Sequence, residues 1–161
     1  MALLLAAAGL CCAGSHATEN LKDLQDRFDH ESQAGKKIKQ LQKLGQAQFA
    51  AASDASHSGN FVEVGLIFEK YRDNARAAFE LLRKQEPDAD RHPGGYRQLE
   101  LGLRQGIREV EDALLAVPDE IKPPLRIVHK DLVDMDDALI NLLFPRRTPP
   151  VNPPAAPAVK P

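Results

Sequence analysis

The sequence predicts an all-α protein: an antiparallel up-and-down bundle of four to five helices, followed by a disordered proline-rich tail. Apolar residues recur at alternating steps of three and four, which gathers them on one face of a helix. No window alternates apolar and polar residues over a strand's length with turn residues on both sides. The prolines fall between the apolar stripes or beyond the last of them, so connections are short and successive helices turn back on one another.

The chain opens on an export signal. Ala2 to Gly14 carries no charge, and the run Ala2–Leu10 has the length of a secretory apolar core, roughly 7–15 residues. A membrane span needs about 20. Ser15 and Ala17 flank His16 as small residues, which places cleavage after Ala17. Residues 1–17 are then a signal peptide, 18–145 a helical bundle domain and 146–161 the tail. Cys11 and Cys12, the only two cysteines, leave with the signal. The exported chain, periplasmic or extracellular, keeps no thiol for a disulfide, a cysteine metal site or a nucleophile.

The first exported segment holds two short stripes, Leu21, Leu24 and Phe28, then Ile38, Leu41, Leu44 and Phe49. Between them Asp29–Gly35 has nothing to bury and predicts a kink or loop; a turn is expected through Ser53 to Gly59. The next helix starts at Asn60, with Glu63 three residues on in the spacing of a capping box. Its face is Phe61, Val64, Phe68, Tyr71, Ala75, Ala78 and Leu82, and it ends before Pro87. Another runs from the His92-Pro93-Gly94-Gly95 breaker to near Pro118 through Tyr96, Leu99, Leu103, Ile107, Val110 and Leu114. The last starts at Pro123-Pro124, stops at Pro145 and carries Leu125, Val128, Leu132, Met135, Leu139 and Leu142; proline suits a first helical turn and cannot continue a helix. The seams hold no polar side chain except Tyr71 and Tyr96. Beyond them, seven prolines in the last 17 residues predict an extended tail of polyproline character.

Charge narrows the function classes. Of 21 basic residues, Arg146, Arg147 and Lys160 lie in the tail, leaving 18 against 23 acidic residues in the body, a net of −5. No basic stripe follows phosphates, and with no Trp, two Tyr and six Phe there is no stacking platform for single strands, so nucleic acid is not an expected partner.

Few constellations promise chemistry. His30-Glu31-Ser32-Gln33-Ala34 has Ala34 where a zinc-binding HExxH needs its second histidine. No Glu-x-x-His of the di-iron bundles occurs. His57, His92 and His129 stand apart in sequence. Asp131, Asp134, Asp136 and Asp137 read as a solvated helix face, as do Glu109, Glu111 and Asp112. Ser53-Asp54-Ala55-Ser56-His57 holds triad residue types, but the composition of one polar turn is no evidence of the spatial convergence that a triad needs. No cofactor or metal is therefore expected. Gly102-Leu103-Arg104-Gln105-Gly106 is a small-xxx-small spacing that predicts close approach of another helix at Gly102 and Gly106, within the bundle or between subunits. Arg147 to Pro153 has RxxPxxP spacing and reads as a spacer.

Leu44-Gly45 through Phe49, then Gly59-Asn60-Phe61, Phe68 and Tyr71, is similar to a single helical hairpin of the tetratricopeptide repeats. The whole chain, with FDHES, FEKYRDNA and HPGGYRQLELGLR, resembles short, exported, all-helical bacterial proteins of unknown function, which implies location and fold. The expected function is a non-enzymatic interaction or scaffold protein of the cell envelope, with a protein partner or self-association and no membrane span in the mature chain. A small-ligand or metal-binding bundle is the alternative.

Overall fold

The computed structural model describes residues 13–145, with side chains from residue 21 onward. The apolar run, both cysteines and the proline tail lie outside the described residues, and the expected cleavage point falls where α1 is described without side chains. Five α-helices account for nearly all of the rest: α1 (Ala13–His30), α2 (Ala34–His57), α3 (Phe61–Gln85), α4 (Pro93–Ala116) and α5 (Lys122–Leu143), with a 3-10 turn at Asp119–Ile121. No strand occurs among the described residues.

The expected stripes are the buried faces. On α5, Leu125, Val128, Leu132, Met135 and Leu139 are buried and Leu142 is half-buried. On α4, Tyr96, Leu99, Leu103 and Val110 are buried, with Ile107 and Leu114 at the margin. Helix α3 buries more than its stripe, adding Ile67, Asn74 and Phe79, because it touches α2, α4 and α5. Three polar residues are buried that the stripes did not include: Lys37, Gln48 and Asn74.

The breaks are narrower than the sequence predicts. Between α1 and α2 only Glu31–Gln33 is non-helical, because a remote side chain caps α2. Gln85, at the end of α3, accepts from the Ala34 amide at 2.8 Å and donates to the Ser32 carbonyl at 2.6 Å. The turn expected over Ser53–Gly59 shrinks to Ser58–Asn60, since α2 runs on to His57 with Ala52 and Ala55 buried. It closes with a Schellman pattern: the Asn60 amide donates to the Ala55 carbonyl, the Gly59 amide to that of Ser56, and Gly59 takes φ +76°. Asn60 therefore has no free amide for Glu63 to answer. The capping box is replaced by a side-chain bond from Asn60 Nδ2 to Glu63 Oε2, 2.6 Å.

Consecutive helices run antiparallel, and the two hairpins α2–α3 and α4–α5 stack in the same sense. Helix α4 lies parallel to α2: Gly95 sits beside Ile38, Gln98 beside Gln42, and Ala113 and Ala116 share a pocket with Ser56 and His57. Helices α3 and α5 also pack together, and Arg72 and Arg76 of α3 both reach Asp131 of α5. Helix α1 packs on α2 and reaches α3 through reciprocal amide bonds between Gln25 and Asn74, 2.9 and 3.1 Å.

Lys37 holds the end of α1. Its ammonium donates to the carbonyls of Phe28 at 2.7 Å and Glu31 at 3.2 Å and lies 4.3 Å from the Phe28 ring centre. These bonds satisfy carbonyls that a helix end leaves without partners. Lys37→Met is expected to cost about 2 kcal/mol, the scale of charged hydrogen bonds, in urea unfolding, with faster amide exchange over residues 21–30.

Candidate binding groove between α2 and α4

Side-by-side helices normally interdigitate side chains along their seam. Here the seam is opened by small residues: Gly45 of α2, and Gly102 and Gly106 of α4. Tyr71 of α3 rises between them. Its ring lies 4.8 Å from that of Phe49, edge-on, and its hydroxyl donates to the Gly102 carbonyl at 2.8 Å. A Cβ at Gly106 would overlap the Tyr71 ring, 2.8 Å from Cζ, whereas a Cβ at Gly102 would meet nothing within 4 Å. The two glycines thus do different things. Gly106 gives close approach within the chain, and Gly102 leaves space above the ring.

That space is a pocket of about 230 Å³ with Ile38, Leu99, Phe49 and Tyr71 at its base and Gln42, Gln46, Gln98 and Gln105 among its walls. Gln98 Nε2 donates to Gln42 Oε1 at 3.0 Å across the seam, and Leu101 at the rim is 63% exposed. The pocket continues in both directions. Through Gln42, Gln46 and Gln98 it joins a hollow with Lys36, Lys39 and Lys43, and these meet Gln33, Gln85 and Glu86 at the start of α2. Through Phe49 it joins a hollow lined by Ser53, Ser56, His57, Glu109 and Asp112. These hollows lie in line along the groove between α2 and α4, which the Gln42–Gln98 bond crosses.

Two of the groove's ionisable groups are engaged within the chain. Burial, and after it the charge of Glu109, pushes the Tyr71 hydroxyl far above the ordinary tyrosine range, so it stays a neutral donor. His57 Nδ1 lies 2.7 Å from the carbonyl oxygen of Ser53 and 3.4 Å from that residue's hydroxyl. The shorter contact assigns the proton to Nδ1, leaving that nitrogen unable to take one from Ser53. His30 Nδ1 is similarly tied to the Asp26 carbonyl, 2.7 Å away. Among the described residues no three His, Cys, Asp or Glu side chains are grouped to hold a metal ion, and no helix is long and apolar enough to cross a membrane.

The acidic group on α5 is not one solvated face. Asp134 pairs with Lys130 on the surface, but Asp131 takes both α3 arginines. Asp136, its side chain 13% exposed, lies 3.8 Å from Arg104, which pairs more closely with Glu100 at 2.6 Å. Asp136 Oδ1 is buried without a partner. Burial first, opposed by Arg104 and reinforced by Glu100 and Asp137, raises the Asp136 pKa above its ordinary value. On α4, Glu111 meets His129 of α5 at 3.0 Å.

The seams also hold more polar groups than the sequence predicts, yet most are consumed internally. Lys37 and Asn74 are bonded as described. Gln48, 2% exposed, leaves its Oε1 without a partner. Sequence reasoning missed the groove's glutamines, although their signal was present: Gln42 and Gln46, and Gln98, Gly102 and Gln105, fall at three- and four-residue steps. Without knowing which helix lies alongside, such a stripe reads as a solvated face. Comparison with known proteins finds no matching family model, curated protein or solved structure.

Urea unfolding separates the two glycines. Gly106→Ala is expected to lose about 1–3 kcal/mol through overpacking, and Gly102→Ala to gain about 1 kcal/mol through helix propensity. Asp136 adds a pH signature. Its folded-state pKa lies above the unfolded one, so the stability linked to it is complete below its ordinary value of 3.8 and is lost as pH rises through the raised value. Asp136→Asn is expected to raise the Tm at pH 7 and to match the parent below pH 3.8 in thermal melts.

Proposed function

We propose that this chain is a non-enzymatic contact module, exported to the periplasm or beyond the cell, that holds an extended segment of a partner protein in the α2–α4 groove. The observation that carries this reading is the groove itself: a line of amide-walled hollows over an apolar floor, running along two parallel helices. Export rests on the apolar run Ala2–Leu10 and the small residues before Thr18.

The test is capture from the native envelope fraction by the mature chain and by Gly102→Leu, which fills the pocket floor where the backbone leaves space. Intact mass of the secreted protein is expected to begin at Thr18, and Gly102→Leu to lose the captured protein while keeping its helical circular dichroism. A secreted form beginning at Met1 would remove the cleaved-signal reading, and equal capture by both proteins would remove the groove. The alternative, a small-ligand or metal-binding bundle, has the unpartnered Gln48 Oε1 in its favour; a thermal shift with Zn²⁺, Ca²⁺ or Mn²⁺ would support it. Sedimentation equilibrium reads self-association in the same preparation.

A further inference from the structure

We infer that the groove accepts an extended peptide in one direction only, with the carboxyl end beside Lys36, Lys39 and Lys43 and the amino end beside Glu109 and Asp112. This rests on the groove reading and adds the ligand's class and polarity. Each glutamine side chain offers one acceptor oxygen and an NH₂ donor, the groups with which a peptide bond pairs. Gln46 and Gln105 place two such amides on the central pocket, beside Gln42 and Gln98, whose side chains bond each other and the Gln98 carbonyl. From Lys36 to His57 the groove follows about 30 Å of helix, the length of some nine extended residues at about 3.3 Å each.

The direction comes from charge. At the α2 start, three lysines line the hollows against Glu31 and Glu86; Glu31 Oε1 is engaged by the Gln33 amide at 2.8 Å. At the other end, Glu109 and Asp112 line the hollow with His57 and no lysine or arginine. Because α2 and α4 are parallel, their dipoles point the same way along the groove instead of cancelling. Neither helix has an acidic residue in its first turn, and α4 has no basic residue in its last. The lysines and the two carboxylates are set roughly 15–30 Å apart along the helices, about two to four Debye lengths at physiological salt, so each end is read separately.

The experiment uses the mature chain and two decapeptides labelled on a central side chain: one with two lysines at the amino end, a leucine- and asparagine-containing middle and two glutamates before a free carboxylate, the other with the lysines and glutamates exchanged. Fluorescence anisotropy at low salt is expected to give at least tenfold tighter binding of the first peptide. The preference should shrink with added salt and invert in the variant carrying Lys36→Glu, Lys39→Glu, Lys43→Glu, Glu109→Lys and Asp112→Lys. Equal affinities that are both lost in Gly102→Leu would overturn the direction while leaving the groove. Binding of neither peptide, or binding that Gly102→Leu leaves unchanged, would overturn the groove reading itself.

Discussion

The placement of Tyr71 between two glycine-bearing helices governs the rest of the structure. A phenol ring buried to 2% exposure must fill its volume and find an acceptor for its hydroxyl. The Gly102 carbonyl supplies the acceptor, since a helical carbonyl keeps a second lone pair beyond its own ladder bond. Gly106 supplies the space, and no other residue type could, because a Cβ there would enter the ring. Gly45 meets the other side, with its Cβ position 3.0 Å from the ring. One side chain of α3 thus fixes the positions of α2 and α4. The groove is what remains above it, because the residues flanking the ring have little or no side chain to close the seam.

Stacking two hairpins in the same sense has an electrostatic and a steric consequence. Antiparallel neighbours cancel dipoles along their shared seam, whereas parallel ones add. The seam also keeps matching registers: Ile38 with Gly95, Gln42 with Gln98. The hollows between the two helices therefore lie in line. The opposite layer is closed differently. Arg72 and Arg76 converge on Asp131, and Asp136 tucks toward Arg104, so the carboxylates of α5 clasp α3 and α4 rather than facing solvent together.

Where each helix lies was legible in the sequence, because burial of one face is a local demand repeated every three or four residues. Leu125, Val128, Leu132 and Leu139 are completely buried as their spacing requires. The break around Ser32 was misjudged in width because the residue capping α2, Gln85, stands 51 positions from Ala34. The Asn60–Glu63 box failed for a related reason, the Asn60 amide having been taken by the preceding helix. Gly102 and Gly106 were identified as sites of helix approach, but their division of labour depends on Tyr71, which no spacing on α4 reveals. The buried polar residues were invisible for the same cause: Asn74 is tolerable inside only because Gln25 arrives to satisfy it.

This pattern bears on how the molecule can act. A bundle that met every polar group by local rules would be sealed, with a uniform wet exterior. This one meets several interior polar groups by long-range pairings, Gln85 to Ala34, Gln25 to Asn74 and Tyr71 to Gly102, and leaves Gln48 Oε1 and Asp136 Oδ1 without partners, while its groove glutamines remain only partly matched. Gln42 and Gln98 bond each other across the seam, but Gln46 and Gln105 on the walls bond no other described residue through their side chains. An amide paired to water is cheap to leave in place and cheap to redirect, because exchanging one hydrogen bond for another changes little free energy. Under the proposed binding, hydrogen bonding in the groove would add selectivity to a direction set by charge, and the driving force would come from covering Leu101 and the apolar floor.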